Sequence, residues 1–297
     1  MVAEVIARRP KGAFIRIPSV FREQLVAAAP GRYHLYVAAA CPWCHRTTIA
    51  RELLGLHAAV GVSYLDPIRD ERGWEFSGGR FTDEAEGMRY LAEAYERTRA
   101  GYDGRVSAPV LWDREAGRIV NNESSEIIRM FETGVFGPTA VELYPPALAA
   151  EIDAINDRVY ETLNNGVYAC GFARSQAAYE AAFVPLFETL DWLEELLASR
   201  RHLLGETLTE ADIRLFPTLV RFDAVYNGHF KCNLRRIVDY PNLWGYTRDV
   251  YQHSGIAGTV ELDEIKRHYY GTHRAINPSG IVALGPAIDF EAPHGRG

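Results

Sequence analysis

A chain of 297 residues, 47% hydrophobic and 24% charged, has the proportions of an ordinary globular protein long enough for one large or two medium domains; two are expected. A net charge of -7 and a pI near 5.8 exclude nucleic acid and anionic membrane as partners, because polyanions call for clustered Lys and Arg. A small substrate is left. No stretch approaches the roughly 18 apolar residues of a membrane span, and the opening MVAEVIARRPKGAF lacks an apolar core of signal-peptide length, so a cytosolic location is expected.

In chain order, residues 1–30 read as an N-terminal extension, and from 31 to 133 strand and helix alternate. Residues 33–39 (YHLYVAA) predict a strand, 42–54 a helix and 61–65 (GVSYL) a second strand. A long polar insertion carrying Trp74 leads to a helix over about 88–99. Residues 108–113 (APVLWD) and 118–122 (RIVNN) predict two strands joined by a hairpin-like turn at 114–117, followed by a helix over 124–131. The order βαβαββα, with a cysteine after the first strand and a proline opening the third, is that of a thioredoxin-like domain. Gly134, Gly137, Pro138, Pro145 and Pro146 mark 134–146 as a linker. Over 147–254 apolar residues recur at helical spacing, in helices near 147–168, 176–199, 209–226 and 243–252. Thr209 and Asp212 match a capping box. Residues 255–297, rich in Gly and Pro, predict an irregular tail packed on the body. The fold class is α/β plus all-α.

The informative motif is Cys41-Pro42-Trp43-Cys44-His45, at the end of a strand and the mouth of a helix. Unpaired N–H groups and the helix dipole stabilise negative charge there, and Pro42 suits the first helical position, where its missing N–H costs nothing. A reactive thiolate is expected. The dipole supplies roughly 1 kcal/mol, which lowers a thiol pKa by about one unit. Full ionisation therefore needs further donors or a cation, for which Arg46 and Arg105 are candidates.

The string also matches C-x-x-C-H, the c-type haem attachment signature. That reading is set aside, because haem attachment of this kind occurs outside the cytosol and the motif sits in a strand-to-helix turn. A zinc site fails because Cys170 and Cys232 supply no second close pair. No metal is called for. Both of these cysteines lack a helix-start setting and read as inert, and His45, one turn beyond Cys41, reads as structural.

Several strings in order resemble the Xi-class glutathione transferases, the glutathionyl-hydroquinone reductases: Cys41-Pro-Trp-x-His-Arg-Thr, 104–113 (GRVSAPVLWD), 119–127 (IVNNESSEI), 164–172 (NNGVYACGF), 239–244 (DYPNLW), 265–270 (IKRHYY) and 276–280 (INPSG). The likeness covers nearly the whole chain. It implies a thioredoxin-like glutathione-binding domain, an all-helical glutathione-transferase C-terminal domain, glutathione as co-substrate and a homodimer through the helical domain. One departure is Cys44, where the family usually carries a small residue; Cys44 reads either as a resolving thiol or as a small buried residue on the inner face of the helix.

The resemblance assigns glutathione to named residues. The Ala108-Pro109 bond, expected to be cis, offers the Ala108 backbone to the cysteinyl unit like an added strand. Glu123 and Ser124 stand at a helix start that suits the γ-glutamyl carboxylate and ammonium. Trp74 packs on glutathione, and Arg105 is a cation for the glycyl carboxylate or the sulfur. Tyr168, Tyr226 and Tyr269 are assigned to the quinol ring, with Tyr168 as the candidate proton donor. Plainer readings stand beside these: Pro109 as the start of an edge strand, Glu123 as a simple N-cap, Trp74 and the tyrosines as packing, Arg105 as a solvated surface charge.

The function this predicts is glutathione-dependent reduction of glutathionyl-hydroquinones through a Cys41 glutathione mixed disulfide. One alternative is an Omega-like or glutaredoxin-like thioltransferase using Cys41 and Cys44. Another is a non-catalytic glutathione-transferase-like binding protein.

Overall fold

The computed structural model describes residues 10–27, 29, 31–139 and 141–296. Its elements in chain order are β1 (Tyr33–Val37), α1 (Pro42–Leu53), β2 (Val60–Tyr64), α2 (Leu91–Thr98), β3 (Val110–Asp113), β4 (Arg118–Asn121), α3 (Ser124–Phe131), α4 (Ala149–Val159), α5 (Gly166–Gly171), α6 (Gln176–Leu197), α7 (Glu210–Arg221), α8 (Pro241–Gln252) and α9 (Leu262–Thr272). Single helical turns lie between some of them. Contacts divide the chain into two units. A sheet unit takes residues 19–144 and 254–272, and a helical unit takes the described residues up to 18, 145–253 and those from 273 onward.

In the sheet unit the strand order is β2-β1-β3-β4. β2 runs parallel to β1, β3 antiparallel to β1, and β4 antiparallel to β3. All five residues of β1 are buried, which explains its unbroken apolar run: a strand covered on both faces has no solvated side to alternate with. The parallel pair needs a crossover, and α1 supplies it. Gly61 on β2 is demanded by packing, since a Cβ there would collide with the His34 ring. The hairpin from β3 to β4 turns on Asp113, whose Oδ1 accepts from the N–H groups of Glu115 and Ala116 at 3.0 and 3.1 Å. Gly117 closes it at φ 62°, left-handed backbone that glycine adopts freely. α3 packs on α1, and α2 lies against β4. The βαβαββα order expected of a thioredoxin-like domain is present.

The polar insertion after β2 is organised from within. The buried carboxylate of Asp83 accepts from the N–H groups of Ala85, Glu86 and Met88 at 2.9, 3.2 and 2.8 Å. The Trp74 carbonyl accepts from Leu91 N–H at 3.0 Å, which fixes Trp74 to the start of α2.

Two stretches differ from the sequence-based layout. Part of the region read as an N-terminal extension runs along the sheet edge: Arg22 bridges Asn121, and Glu23 N–H donates to the Val120 carbonyl at 3.0 Å. Residues 1–9, 28 and 30 of that extension lie outside the described residues. The region read as an irregular tail contains α9. Its Ile265, His268 and Tyr269 recur at helical spacing and are buried, a pattern hidden by the Gly and Pro around it. α9 belongs to the sheet unit, where Glu261 and Glu264 pair with Arg80 at 2.7 and 3.0 Å.

The helical unit holds α4 to α8. The expected continuous helices over 147–168 and 209–226 are each interrupted by a π-helical turn, Tyr160–Asn164 after α4 and Phe222–Tyr226 after α7. Asn164 Nδ2 at the first turn donates to Thr218 Oγ1 of α7 at 2.7 Å, a buried side-chain tie between the two helices. Asp212 accepts from Thr209 N–H at 2.8 Å, from Leu203 N–H at 3.0 Å and from the Tyr246 hydroxyl at 2.9 Å, so the predicted cap is also a core hub. Residues 10–18 join this unit, with Arg174 N–H donating to the Gly12 carbonyl at 3.0 Å. Among the described residues no helix is long and apolar enough to cross a membrane.

Candidate active site

Cys41 is the N-cap residue of α1 and Pro42 the first residue of the helix. Its own N–H donates to Ala38 at 2.9 Å, while its carbonyl accepts from His45 N–H at 3.0 Å. The residue is partly exposed, and its sulfur lies 3.7 Å from the Ala108 carbonyl. The Ala108–Pro109 bond is cis. Cys44, on the same helix, is 1% exposed, which separates a reachable thiol from a packed one.

The strand entry before Pro109 is held from α2. Tyr95 Oη donates to the Ser107 carbonyl at 2.6 Å and accepts from Ser107 N–H at 3.1 Å. The same hydroxyl accepts from Asn122 Nδ2 at 2.9 Å. One buried tyrosine thus ties the Ala108 segment to the start of α3. There Glu123 is the N-cap, its carboxylate accepting from Ser125 N–H at 3.3 Å and from the Ser19 hydroxyl at 3.1 Å. Ser124 Oγ is buried with no hydrogen-bond partner among the described residues. An orphaned hydroxyl at a helix N-terminus of this kind is a ready partner for a carboxylate.

Trp74 is 5% exposed and stacks on His268 of α9, centroids 5.1 Å apart and planes 16° apart. His268 Nδ1 sits 2.7 Å from the Pro67 carbonyl, which orients the ring. The Arg69 guanidinium lies 5.6 Å from the centre of the Trp74 ring. Arg69 is exposed at the surface; partial desolvation and the Arg105 charge push its pKa below the usual arginine value, and the charge on Cys41 pulls it up. Arg69 therefore shares a local field with both Cys41 and Arg105. It is a residue that sequence reasoning missed, because it stands in the charge run Arg69-Asp70-Glu71-Arg72, which reads as a solvated turn; its position five residues before Trp74 was the available signal. Of the two cations expected near the sulfur, Arg105 is exposed, and Arg46 is buried with its guanidinium 4.5 Å from the centre of the Trp43 ring.

The three tyrosines assigned to the substrate ring fall in different places. Tyr168 and Tyr226 join one aromatic cluster of the helical unit, 6.1 Å apart, each 5.5 Å from Phe230. Tyr168 is partly exposed and Tyr226 buried. Arg16 lies 4.9 Å over the Tyr168 ring and hydrogen-bonds Asn165. Tyr269 belongs to the sheet unit, buried beside His268 at 5.4 Å. His45 is buried, its Nε2 2.8 Å from Thr259 Oγ1, a packed position.

Cys170 and Cys232, isolated in sequence, meet in the helical unit. Burial, and then a hydrogen bond with Cys170, push the Cys232 thiol well above its ordinary value. Both are buried. Such a thiol stays protonated and is a poor nucleophile.

Residues 40–133 match the family described as "Glutathione S-transferase, N-terminal domain", and 176–249 match "Glutathione S-transferase, C-terminal domain". The chain is 53% identical over 283 residues to the glutathionyl-hydroquinone reductase PcpF of Sphingobium chlorophenolicum, covering 93% of this chain and 90% of that protein. It is 49% identical to the glutathionyl-hydroquinone reductase YqjG of Escherichia coli, covering 96% and 92%. The glutathione-bound structure of YqjG superposes with a TM-score of 0.91 at 48% identity over 93% of this chain and 96% of that one. The glutathione transferase Xi of Phanerochaete chrysosporium gives 0.89 at 46% identity over 93% of each chain. Matched by both family models and about half identical to such relatives over more than nine-tenths of its length, the chain belongs to the glutathione S-transferase family, in the Xi class.

Proposed function

We propose that this chain reduces glutathionyl-hydroquinones to hydroquinones at the expense of glutathione. The observation that carries the reading is the partly exposed Cys41 at the start of α1, its sulfur 3.7 Å from the carbonyl that precedes a cis-proline. Relatives named for this activity, about half identical over most of the chain, support it.

In the first step the Cys41 thiolate attacks the sulfur of the thioether. The S–S bond to Cys41 forms, the carbon–sulfur bond breaks, and its electron pair goes to the ring carbon, which takes a proton with Tyr168 as the proposed donor. In the second step the thiolate of another glutathione attacks the glutathionyl sulfur of the mixed disulfide. Oxidised glutathione leaves and the Cys41 thiolate returns. The balance is one thioether and one thiol in, one hydroquinone and one disulfide out. Ala108 pairs with the cysteinyl unit, Ser124 and Glu123 hold the γ-glutamyl group, and Trp74 and Arg105 face the rest of the tripeptide. Tyr226 and Tyr269 complete the proposed set of ring contacts, and a homodimer is the proposed assembly in the cytosol.

The rival thioltransferase reading gives Cys44 a resolving role, and the burial of Cys44 disfavours it. Steady-state assays of Cys41→Ala and Cys44→Ala with a glutathionyl-hydroquinone separate the two. Loss in the first variant alone supports the one-thiol route; equal loss in both overturns it.

A further inference from the structure

Residues 10–18 look like a plain extension in the sequence, yet in the helical unit they form a strap pinned at the turn between α5 and α6. Arg174 N–H donates to the Gly12 carbonyl at 3.0 Å, and the hydroxyl of Ser175, the N-cap of α6, donates to the Lys11 carbonyl at 2.7 Å. These bonds fix the course of the next residues. Ile15 and Ile17 are exposed, whereas Phe14 and Arg16 are half-buried, the alternation of an extended segment with one face against a surface. That surface is the Tyr168 cluster. Phe14 stacks on Phe172 with centroids 5.7 Å apart and on Tyr168 at 6.4 Å, the planes 28° apart in both cases.

Arg16 follows on the same face, its guanidinium 4.9 Å from the centre of the Tyr168 ring and 5.4 Å from that of Phe14. It has a second anchor, because Arg16 Nε donates to the side-chain oxygen of Asn165. Asn165 leads into α5 three residues before Tyr168, the spacing at which helical side chains share a face. One short helix therefore holds both partners of the guanidinium. The other described ring neighbours of Tyr168 are Phe172, Phe230 and Tyr226, at 5.5 to 6.3 Å. Further titratable groups on these elements are Glu161, which lines the same cavity as Arg16, and the pair His229 and His273, 3.3 Å apart and packed on Phe230 and Phe172. A phenol in aromatic company gives up its proton reluctantly, since such surroundings disfavour the anion left behind. A cation over the ring face offsets that cost, because the charge of a phenolate is shared with the ring.

We propose that Arg16 is a positioning residue for the proton-transfer step, holding the Tyr168 ring against α5 and stabilising the phenolate that Tyr168 becomes as its Oη proton passes to the ring carbon of the departing hydroquinone. The proposal rests on the reading of Tyr168 as the proton donor. Once the hydroquinone has left, the phenolate regains a proton from solvent. The second step, attack of glutathione on the Cys41 mixed disulfide, moves no proton to carbon and needs nothing from Arg16.

The test measures the two steps separately in the full chain, for wild type, Arg16→Met, Arg16→Lys, Tyr168→Phe and the double variant Arg16→Met with Tyr168→Phe. Release of hydroquinone from S-glutathionyl-hydroquinone in a single turnover reads the first step; resolution by glutathione of a preformed Cys41 glutathione disulfide reads the second. Arg16→Met is expected to slow release about tenfold, with most of the loss recovered in Arg16→Lys, which keeps the charge. Resolution keeps its wild-type rate in both variants, which also establishes that they are folded. Tyr168→Phe slows release about 100-fold, and adding Arg16→Met to it costs nothing more, as two residues acting through one proton require. An unchanged release rate in Arg16→Met, a loss shared equally by both steps, or a further loss of about tenfold in the double variant overturns the proposal. Wild-type release by Tyr168→Phe overturns instead the reading of Tyr168 on which the proposal stands.

Discussion

The start of α1 and the Cys170–Cys232 contact hold the same side chain in opposite surroundings. Cys41 is partly exposed at a helix N-terminus and shares a field with Arg69. Cys232 is fully buried, its Sγ donating to the Phe230 carbonyl at 3.9 Å, and its pKa is pushed upward by burial. The difference lies in solvent, dipole and charge, so the position of a thiol in the fold decides whether it becomes a nucleophile or an apolar filler. Cys44 shows how short the range of this effect is. Three residues beyond Cys41 on the same helix, it is 1% exposed and belongs with the packed thiols.

The widest separation is expected in reactivity. In the native protein near pH 8, iodoacetamide should modify Cys41 on the order of 10³-fold faster than Cys232, whose anion is suppressed by burial. Peptide mapping after brief labelling checks this, and comparable labelling of the two sites would erase the contrast.

The burial that keeps Cys232 protonated keeps His34 neutral, its pKa lowered to about 4 by burial, with Nε2 2.8 Å from Ser63 Oγ. Below the ordinary histidine value the unfolded chain takes up a proton that the folded one refuses. The stability contributed by neutral His34 is therefore complete above about pH 6.5 and is lost as pH falls toward about 4, by up to about 3 kcal/mol. Urea titrations of wild type and His34→Gln across this window should show the loss in wild type and a shallower slope in the variant.

Ser124→Ala removes the orphaned hydroxyl at the α3 start. It should raise the KM for glutathione about tenfold with little change in kcat, the size of one hydrogen bond to a charged group. An unaltered KM would move the γ-glutamyl site elsewhere. The smallest effect belongs to Cys44→Ala, for which kcat should stay within about twofold, with a stability loss of about 1 kcal/mol for a buried side chain trimmed by one atom.

Much of this arrangement was legible in the chain. The β1 run, the turn at Asp113 to Gly117, the Thr209 and Asp212 cap, and the cysteine at the mouth of α1 all depend on neighbours within a few residues. The Ala108–Pro109 conformation and the role of the α3 start came through the family resemblance, and the structure has the cis bond and the helix cap in place. What escaped depends on distant partners. Arg69 looked like one charge in a solvated run until Trp74 and His268 gave it a surface. α9 was hidden because its buried face of Ile265, His268 and Tyr269 lies between breakers. Cys170 and Cys232 are far apart in sequence, and spacing carries no sign of their contact.

The most direct test of the account is mass spectrometry of the intact protein and its peptides after a single turnover with a glutathionyl-hydroquinone, quenched before a second glutathione is added. A glutathione adduct on Cys41, with Cys44, Cys170 and Cys232 as thiols, is the predicted result. A disulfide between Cys41 and Cys44, or an unmodified Cys41 with hydroquinone already released, would contradict it.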